Sequence, residues 1–220
     1  MNRDQGFLAV PRVLQPSEVA TLSAEVASLR RGRAGLRHIL TNDIIGRLAN
    51  DARLVALASD LLGGSAQPFK CTLFDKSPTT NWLVTWHQDV ALPIRARVEA
   101  AGWGPWSTKS GRLYALAPAE VLAGVVALRV HLDDSTAENG PLRVLPDTHR
   151  LGRLSERRIA ELVQSTAAVE CLAPAGGIVA LRPLAVHASS KSTSAVPRRV
   201  LHLEYATSVA LGSGIELAVA

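Results

Sequence analysis

Val125-Val-Ala-Leu-Arg-Val-His-Leu132 is followed closely by Glu138-Asn-Gly-Pro-Leu-Arg-Val-Leu-Pro-Asp-Thr-His149. The first run is apolar, rich in β-branched residues and too short for a helix, so it reads as a buried strand. Asn139-Gly140-Pro141 is a turn: glycine takes positive φ at no steric cost, and proline has no N–H for a ladder. Leu142–Leu145 is then a second short strand, closed by a second turn at Pro146-Asp147-Thr148. The same rhythm extends in both directions. Phe69–Phe74, Trp82–Trp86, Gly177–Leu181 and Val200–Ala206 all read as strands between turn residues.

Upstream of these strands the pattern is helical. Pro16-Ser17-Glu18 opens a segment with Val19, Leu22, Val26 and Leu29 on one face, and proline sits in its first turn. Asp51 caps a second helix with Leu54, Leu57 and Leu61 inward, ended by Gly63-Gly64. Two further helices interrupt the strands, one from Pro118 toward Leu122 and one near Ser155 that groups Ile159, Leu162 and Val163. Helices first and short strands afterwards predict a mainly β sandwich or barrel with helices packed outside. The expected organisation is one domain over 1–220, with a helical buttress at 1–66 and a β core at 67–210. Residues 93–118, which contain Gly102-Trp-Gly-Pro-Trp106, form a long stretch of unassigned structure. Such stretches are commonly functional or disordered, and this one is expected to be a substrate lid.

The bulk numbers suit an ordinary globular protein: 220 residues, 47 % apolar, 20 % charged. Cys71 and Cys171 are far apart and lack zinc-site spacing, so they read as reduced core thiols in a cytoplasmic protein. No apolar run approaches the length of a membrane span, and Met-Asn-Arg-Asp-Gln at the start lacks the apolar core of a signal peptide. A net charge of +5 and a pI of about 9.8 raise the question of nucleic acid. The arginines are scattered, however, with one cluster over Arg30–Arg37, which is expected to be solvated surface. A small anionic substrate explains the charge at least as well.

His87-Gln88-Asp89 and the distant His187 carry the chemistry. On a strand, residues 87 and 89 share a face, and Val186-His187 ends another apolar run. Two histidines and one carboxylate bind one face of Fe(II) and leave the other open, the arrangement of non-haem iron oxygenases. The Pro197-Arg198 pair, eleven residues past His187, adds a cation suited to the far carboxylate of a 2-oxo acid. By spacing alone, a surface His/Asp cluster remains an alternative.

Longer stretches carry a resemblance. Asp75-Lys-Ser-Pro, Asn81-Trp-Leu-Val-Thr-Trp-His-Gln-Asp89, Leu128-Arg-Val-His-Leu-Asp-Asp134 and Glu138–His149 occur in order. Gly176-Gly-Ile-Val-Ala-Leu-Arg-Pro-Leu-Ala-Val-His-Ala-Ser-Ser190 and Pro197-Arg-Arg-Val-Leu-His-Leu-Glu-Tyr205 follow. The chain resembles the phytanoyl-CoA dioxygenase family of Fe(II)/2-oxoglutarate oxygenases. The resemblance implies a double-stranded β-helix (a cupin-like jelly roll), with Fe(II), 2-oxoglutarate and O₂ as cofactor and cosubstrates. It implies His87, Asp89 and His187 as metal ligands. Arg198 and Ser189 are expected to hold 2-oxoglutarate, with Arg199 the fallback if the register slips by one. Leu73, Gln88 and Arg129 are further expected cosubstrate contacts. Arg129 departs from the family pattern and could instead reach the substrate. His131, Arg97, Trp103 and Trp106 are the substrate-side candidates. Asp89 is intact, which argues against halogenation.

The reading that results is a hydroxylase of a small metabolite, with release of succinate and CO₂. Three rivals stand beside it: a nucleic-acid demethylase of the same iron chemistry, a non-catalytic jelly-roll binding protein, and a zinc hydrolase or isomerase on a cupin-type fold. The first would need paired arginines six apart after the distal histidine, which are absent here. The last leaves Arg198 without a role.

Overall fold

The structure, a computed structural model, describes residues 5–29 and 35–219. Arg30, Arg31 and Arg33 of the basic cluster, and the first four residues, lie outside the described residues.

Thirteen strands and five α-helices are described in these segments. A six-stranded antiparallel sheet has the order β1 (Phe7–Val10), β11 (Ile178–Leu181), β8 (Val125–His131), β13 (Arg198–Ala206), β3 (Gln67–Lys76) and β2 (Leu36–Arg37). Facing it is a four-stranded sheet of β10 (Val169–Cys171), β9 (Leu142–Val144), β12 (His187–Ser189) and β4 (Val84–His87). A small third sheet joins β5 (Ala91–Pro93), β7 (Arg112–Leu116) and β6 (Trp106–Lys109). Two facing antiparallel sheets are the jelly-roll solution to a chain of short strands.

The period of two along β3, β8 and β13 sorts their side chains onto two faces. Cys71, Leu73, Leu128, Val130, Leu201 and Leu203 point outward to the helices and join Val26, Ile45, Leu54 and Ala58 in the largest core cluster. Thr72, Phe74, Lys76, Arg129 and Arg198 alternate with them and line the interior of the roll. One strand thus supplies packing to one side and chemistry to the other.

The helices form where expected. Helix α1 (Pro16–Ser28) begins with Pro at N1 and a capping box between Gln15 and Glu18. Helix α3 (Ala52–Leu62) is capped by Asp51, whose carboxylate accepts from the Arg53 N–H at 2.9 Å, and ends at Gly63 in the left-handed region. Helix α2 (Asp43–Ala49) precedes it, capped by Asn42. Helices α4 (Ala119–Ala123) and α5 (Glu156–Ser165) fall at the two later sites. Both cysteines are free and buried. No described helix is long and apolar enough to cross a membrane.

Two expectations need correction. The segment before residue 67 is not purely helical, because Phe7–Val10 extends the large sheet by pairing with β11 and Leu36–Arg37 pairs with β3. Residues 93–118 are not without regular structure. They contain the β6–β7 hairpin, turned at Ser110-Gly111 with both φ positive, which is the two-residue turn that matches strand twist.

Candidate metal centre and cosubstrate cavity

His87 ends β4, and His187 begins β12 as its direct cross-strand partner. Asp89 lies just past β4, fixed by its backbone N–H to the Pro183 carbonyl at 2.9 Å. The ligand atoms of these three residues lie within 4.8 Å of one another. Asp89 Oδ1 is 3.5 Å from His87 Nε2, and Asp89 Oδ2 is 3.5 Å from His187 Nε2.

The tautomers follow from the backbone. Nδ1 of His87 meets the Thr85 carbonyl at 2.8 Å, and Nδ1 of His187 meets that of Ala185 at 2.9 Å. A carbonyl only accepts, so each Nδ1 carries the proton and each Nε2 turns a lone pair toward Asp89. Burial lowers His187 to about 4, so its ring is neutral at physiological pH. Burial opposes ionisation of Asp89, but the neighbouring imidazoles, His187 first, hold its carboxyl well below the usual range. Burial opposes the charge on His87, but the hydrogen bond and charge of Asp89 outweigh it and raise that imidazole. Two imidazole Nε2 atoms and one carboxylate aimed at a common point fit a divalent first-row metal with vacant coordination positions.

The centre opens into a cavity of about 840 Å³ between the two large sheets. At one end Arg198 is 3 % exposed. Its Nε donates to the Asn139 carbonyl at 3.1 Å and its Nη2 to Ser189 Oγ at 3.3 Å, while Nη1 is buried without a partner. Ser189 Oγ donates in turn to the Gly140 carbonyl at 2.8 Å. Gly140 has φ +68°, and a Cβ there would collide with the Ser190 carbonyl. The Asn-Gly-Pro turn therefore depends on glycine both for its conformation and for this close approach. Lys76 completes the cluster: its Nζ donates to Ser189 Oγ at 2.6 Å and to the Ser190 carbonyl, and lies 5.6 Å from the Trp82 ring centre. Burial, then the proximity of Arg129, brings Arg198 down to about 9. A guanidinium with an unbonded N–H beside a lysine and a hydroxyl is a receptor for a carboxylate.

Arg199 faces the other way. Its Nη2 and Nε hold the Asp133 carboxylate at 2.6 and 2.8 Å, so of the two arginines it is Arg198 that enters the cavity. Arg129 also lines the cavity. His202 lies on the interior side of the same sheet and bonds Arg129.

Five expected contacts sit elsewhere, and one lies just behind the wall. Leu73 is fully buried against the helices, since the strand parity gives the cavity to Thr72 and Phe74. Gln88 points away from the metal site: its Nε2 donates to the Gly152 and Leu184 carbonyls and its Oε1 accepts from the Leu154 N–H. All three bonds tie surrounding loops to β4. Trp103 and Trp106 pack into a separate core with Leu92, Ile94 and Ala115. Arg97 pairs with Glu99 and lies over the Trp106 ring. From the expected lid, Ser110 is the described residue that reaches the cavity. His131 is buried between the rows of Arg129 and Arg198, neither of its nitrogens is bonded, and it does not line the cavity.

Lys76, Thr85 and Leu36 line the cavity without having been singled out from sequence, and Arg37 of the basic cluster lines it as well. The signal for Lys76 was the even parity of Lys70, Thr72 and Lys76 against Cys71 and Leu73. It was obscured because the predicted strand stopped at Phe74.

The chain is 28 % identical to L-proline trans-4-hydroxylase of Streptomyces griseoviridis, over 91 % of this chain and 82 % of the relative. Its fold is similar to EctD from S. alaskensis (TM-score 0.71, 20 % identity, 92 % of this chain and 73 % of that one). It is also similar to the epimerase SnoN in complex with Fe3+, alpha ketoglutarate and nogalamycin RO (TM-score 0.72, 23 % identity, 94 % and 81 % covered). The family model for phytanoyl-CoA dioxygenase matches residues 2–200, and the chain therefore belongs to the phytanoyl-CoA dioxygenase (PhyH) family.

Proposed function

We propose that this protein is an Fe(II)- and 2-oxoglutarate-dependent oxygenase that hydroxylates a small, carboxylate-bearing metabolite. The observation that carries the reading is one cavity holding both a convergent His87–Asp89–His187 face and, at its end, the unbonded guanidinium edge of Arg198. Membership of the family and the L-proline trans-4-hydroxylase relative support a substrate of amino-acid size.

His87, Asp89 and His187 would hold the metal on one side and leave the cavity side for 2-oxoglutarate and O₂. When bound, iron with these two cosubstrates supplies the oxidising power to hydroxylate an unactivated C–H bond, while the 2-oxo acid leaves as succinate and CO₂. The chain's own part is placement. Arg198, Ser189 and Lys76 take the remote carboxylate, which turns the chelating end toward the triad. Phe74, Trp82 and Leu142 wall the cavity, keeping water from the reacting centre and strengthening every charged contact inside it. Two buried free thiols suit a reducing compartment, and the cytoplasm is the proposed location.

The direct test is anaerobic reconstitution with Fe(II) and 2-oxoglutarate, followed by oxygen. Succinate formation that requires all three is the expected result. No succinate with iron would favour a binding protein, and activity restored by zinc without 2-oxoglutarate or oxygen would favour a hydrolase.

Lys76 makes a second prediction. Burial, then the charges of Arg198, Arg129 and Arg143, lower its amine to about 7. At pH 8 the free amine is mostly neutral, and a dianion placed beside it raises its affinity for a proton. Binding of 2-oxoglutarate to the iron-loaded protein at pH 8 should then take up close to one proton. Uptake should fade toward pH 6, where the amine is already charged. Calorimetry in buffers of different ionisation enthalpy measures it, and Lys76→Met should abolish it.

A further inference from the structure

Arg129 is a buried cation whose charge is opposed by burial and favoured by the Asp89 carboxylate. It lines the cavity, is 6 % exposed, and forms no salt bridge among the described residues; its Nε has no partner. Behind it His202 supplies the direct support. Arginine only donates, so the 3.1 Å contact between Nη1 and His202 Nδ1 puts the His202 proton on Nε2. That nitrogen lies 3.9 Å from Glu204 Oε2, and Glu204 is paired with Lys70. The Phe74 ring lies 5.4 Å from the guanidinium carbon. Lys70, Glu204, His202 and Phe74 thus hold the arginine in one orientation, with an unbonded edge. A desolvated guanidinium is costly until an anion meets it.

Both ends of the cosubstrate have other partners in this arrangement. The chelating end of 2-oxoglutarate belongs to the metal and its far carboxylate to Arg198, Ser189 and Lys76; it has no third acidic group. On the large sheet, Arg198 is opposite Lys76, whereas Arg129 is opposite His202, four residues further along β13. The two rows are roughly 13 Å apart along the backbone, although the long side chains bring both guanidinium groups within each other's field. Charge points the same way. A divalent metal and the 2-oxoglutarate dianion cancel, which leaves Arg37, Lys76, Arg129 and Arg198 lining the cavity against Asp89.

We propose that Arg129 binds the carboxylate of the substrate, and that Lys70, Glu204 and His202 are positioning residues for it. The inference rests on the oxygenase reading above. Arginine's planar fork takes a carboxylate through two parallel bonds, which fixes which C–H bond of the substrate lies over the metal.

The test uses the iron-loaded protein with 2-oxoglutarate and a set of small carboxylic acids, L-proline among them, each beside its primary amide. Succinate formation is the readout. Acids should stimulate turnover and their amides should not. Arg129→Gln should raise KM for a stimulating acid by at least ~30-fold, with the Kd for 2-oxoglutarate within about twofold of wild type. His202→Gln, which keeps a polar side chain, should raise the same KM by less and leave that Kd unchanged. The proposal is overturned if Arg129→Gln weakens 2-oxoglutarate binding as much as Arg198→Ala does. It is equally overturned if amides stimulate and the variant retains them, or if no acid stimulates. Failure of the wild type to bind iron and 2-oxoglutarate would instead remove the oxygenase reading itself, so the two failures are distinguishable.

Discussion

Alanine at His187 should abolish iron-dependent turnover and the charge-transfer absorption of the Fe(II)–2-oxoglutarate complex, while the chain still folds. His187 is the buried member of the triad, and its Nδ1 is fixed by the Ala185 carbonyl so that Nε2 points at Asp89. Without it, His87 and Asp89 remain as two adjacent ligands on a half-exposed rim, too few to hold the metal in a fixed orientation. The fold has little to lose. The His187 side chain makes one hydrogen bond to the protein, and β12 keeps its backbone pairing with β9 and β4. An anaerobic titration followed near the visible charge-transfer band, with circular dichroism alongside, measures both expectations. His87→Ala should behave in the same way. An undiminished band in both variants would sink the metal assignment, however the activity responded.

Much of this site was legible because its chemistry is tied to turns and termini. The spacing of His87 and Asp89 put both on one face, with a surface cluster as the alternative until the longer motifs were read, and the Asn139-Gly140-Pro141 turn does sit against Ser189, whose hydroxyl bonds the Gly140 carbonyl. What was missed turned on strand parity. Leu73 was expected in the cavity and packs on the helices, because a one-residue error along a strand moves a side chain to the opposite face. Lys76 escaped notice for a related reason: β3 runs two residues past its last apolar side chain. Trp103 and Trp106 were read as lid residues because they lie in a long stretch without a helical or alternating pattern. The Ser110-Gly111 pair within that stretch was the hairpin signal, and the tryptophans belong to the core which that hairpin covers. The coupling of Arg129 to His202, Glu204 and Lys70 spans β3, β8 and β13, and no local pattern encodes which residues of three distant strands come opposite one another.

Arg198→Ala should weaken 2-oxoglutarate binding on the order of a hundredfold, and Arg199→Ala should leave it within about twofold. Removing one partner of a buried ion pair costs ~3 kcal/mol or more, and every 1.4 kcal/mol is about tenfold in affinity. Lys76 limits the loss, since it keeps one cation beside Ser189, so Arg198→Ala combined with Lys76→Met should bind more weakly still. Arg199 is adjacent in sequence but projects from the other face of β13, where both oxygens of Asp133 engage it. That pair is partly exposed, so its loss should lower Tm modestly without touching the cavity. The two variants therefore separate on two axes, affinity for one and stability for the other. A shared failure to fold would show up in Tm rather than masquerade as lost binding. If the effects were exchanged, with Arg199→Ala losing 2-oxoglutarate and Arg198→Ala losing only stability, β13 would be displaced by one residue. Its whole inner row, including His202 and Glu204, would then face the helices and leave Arg129 without its support.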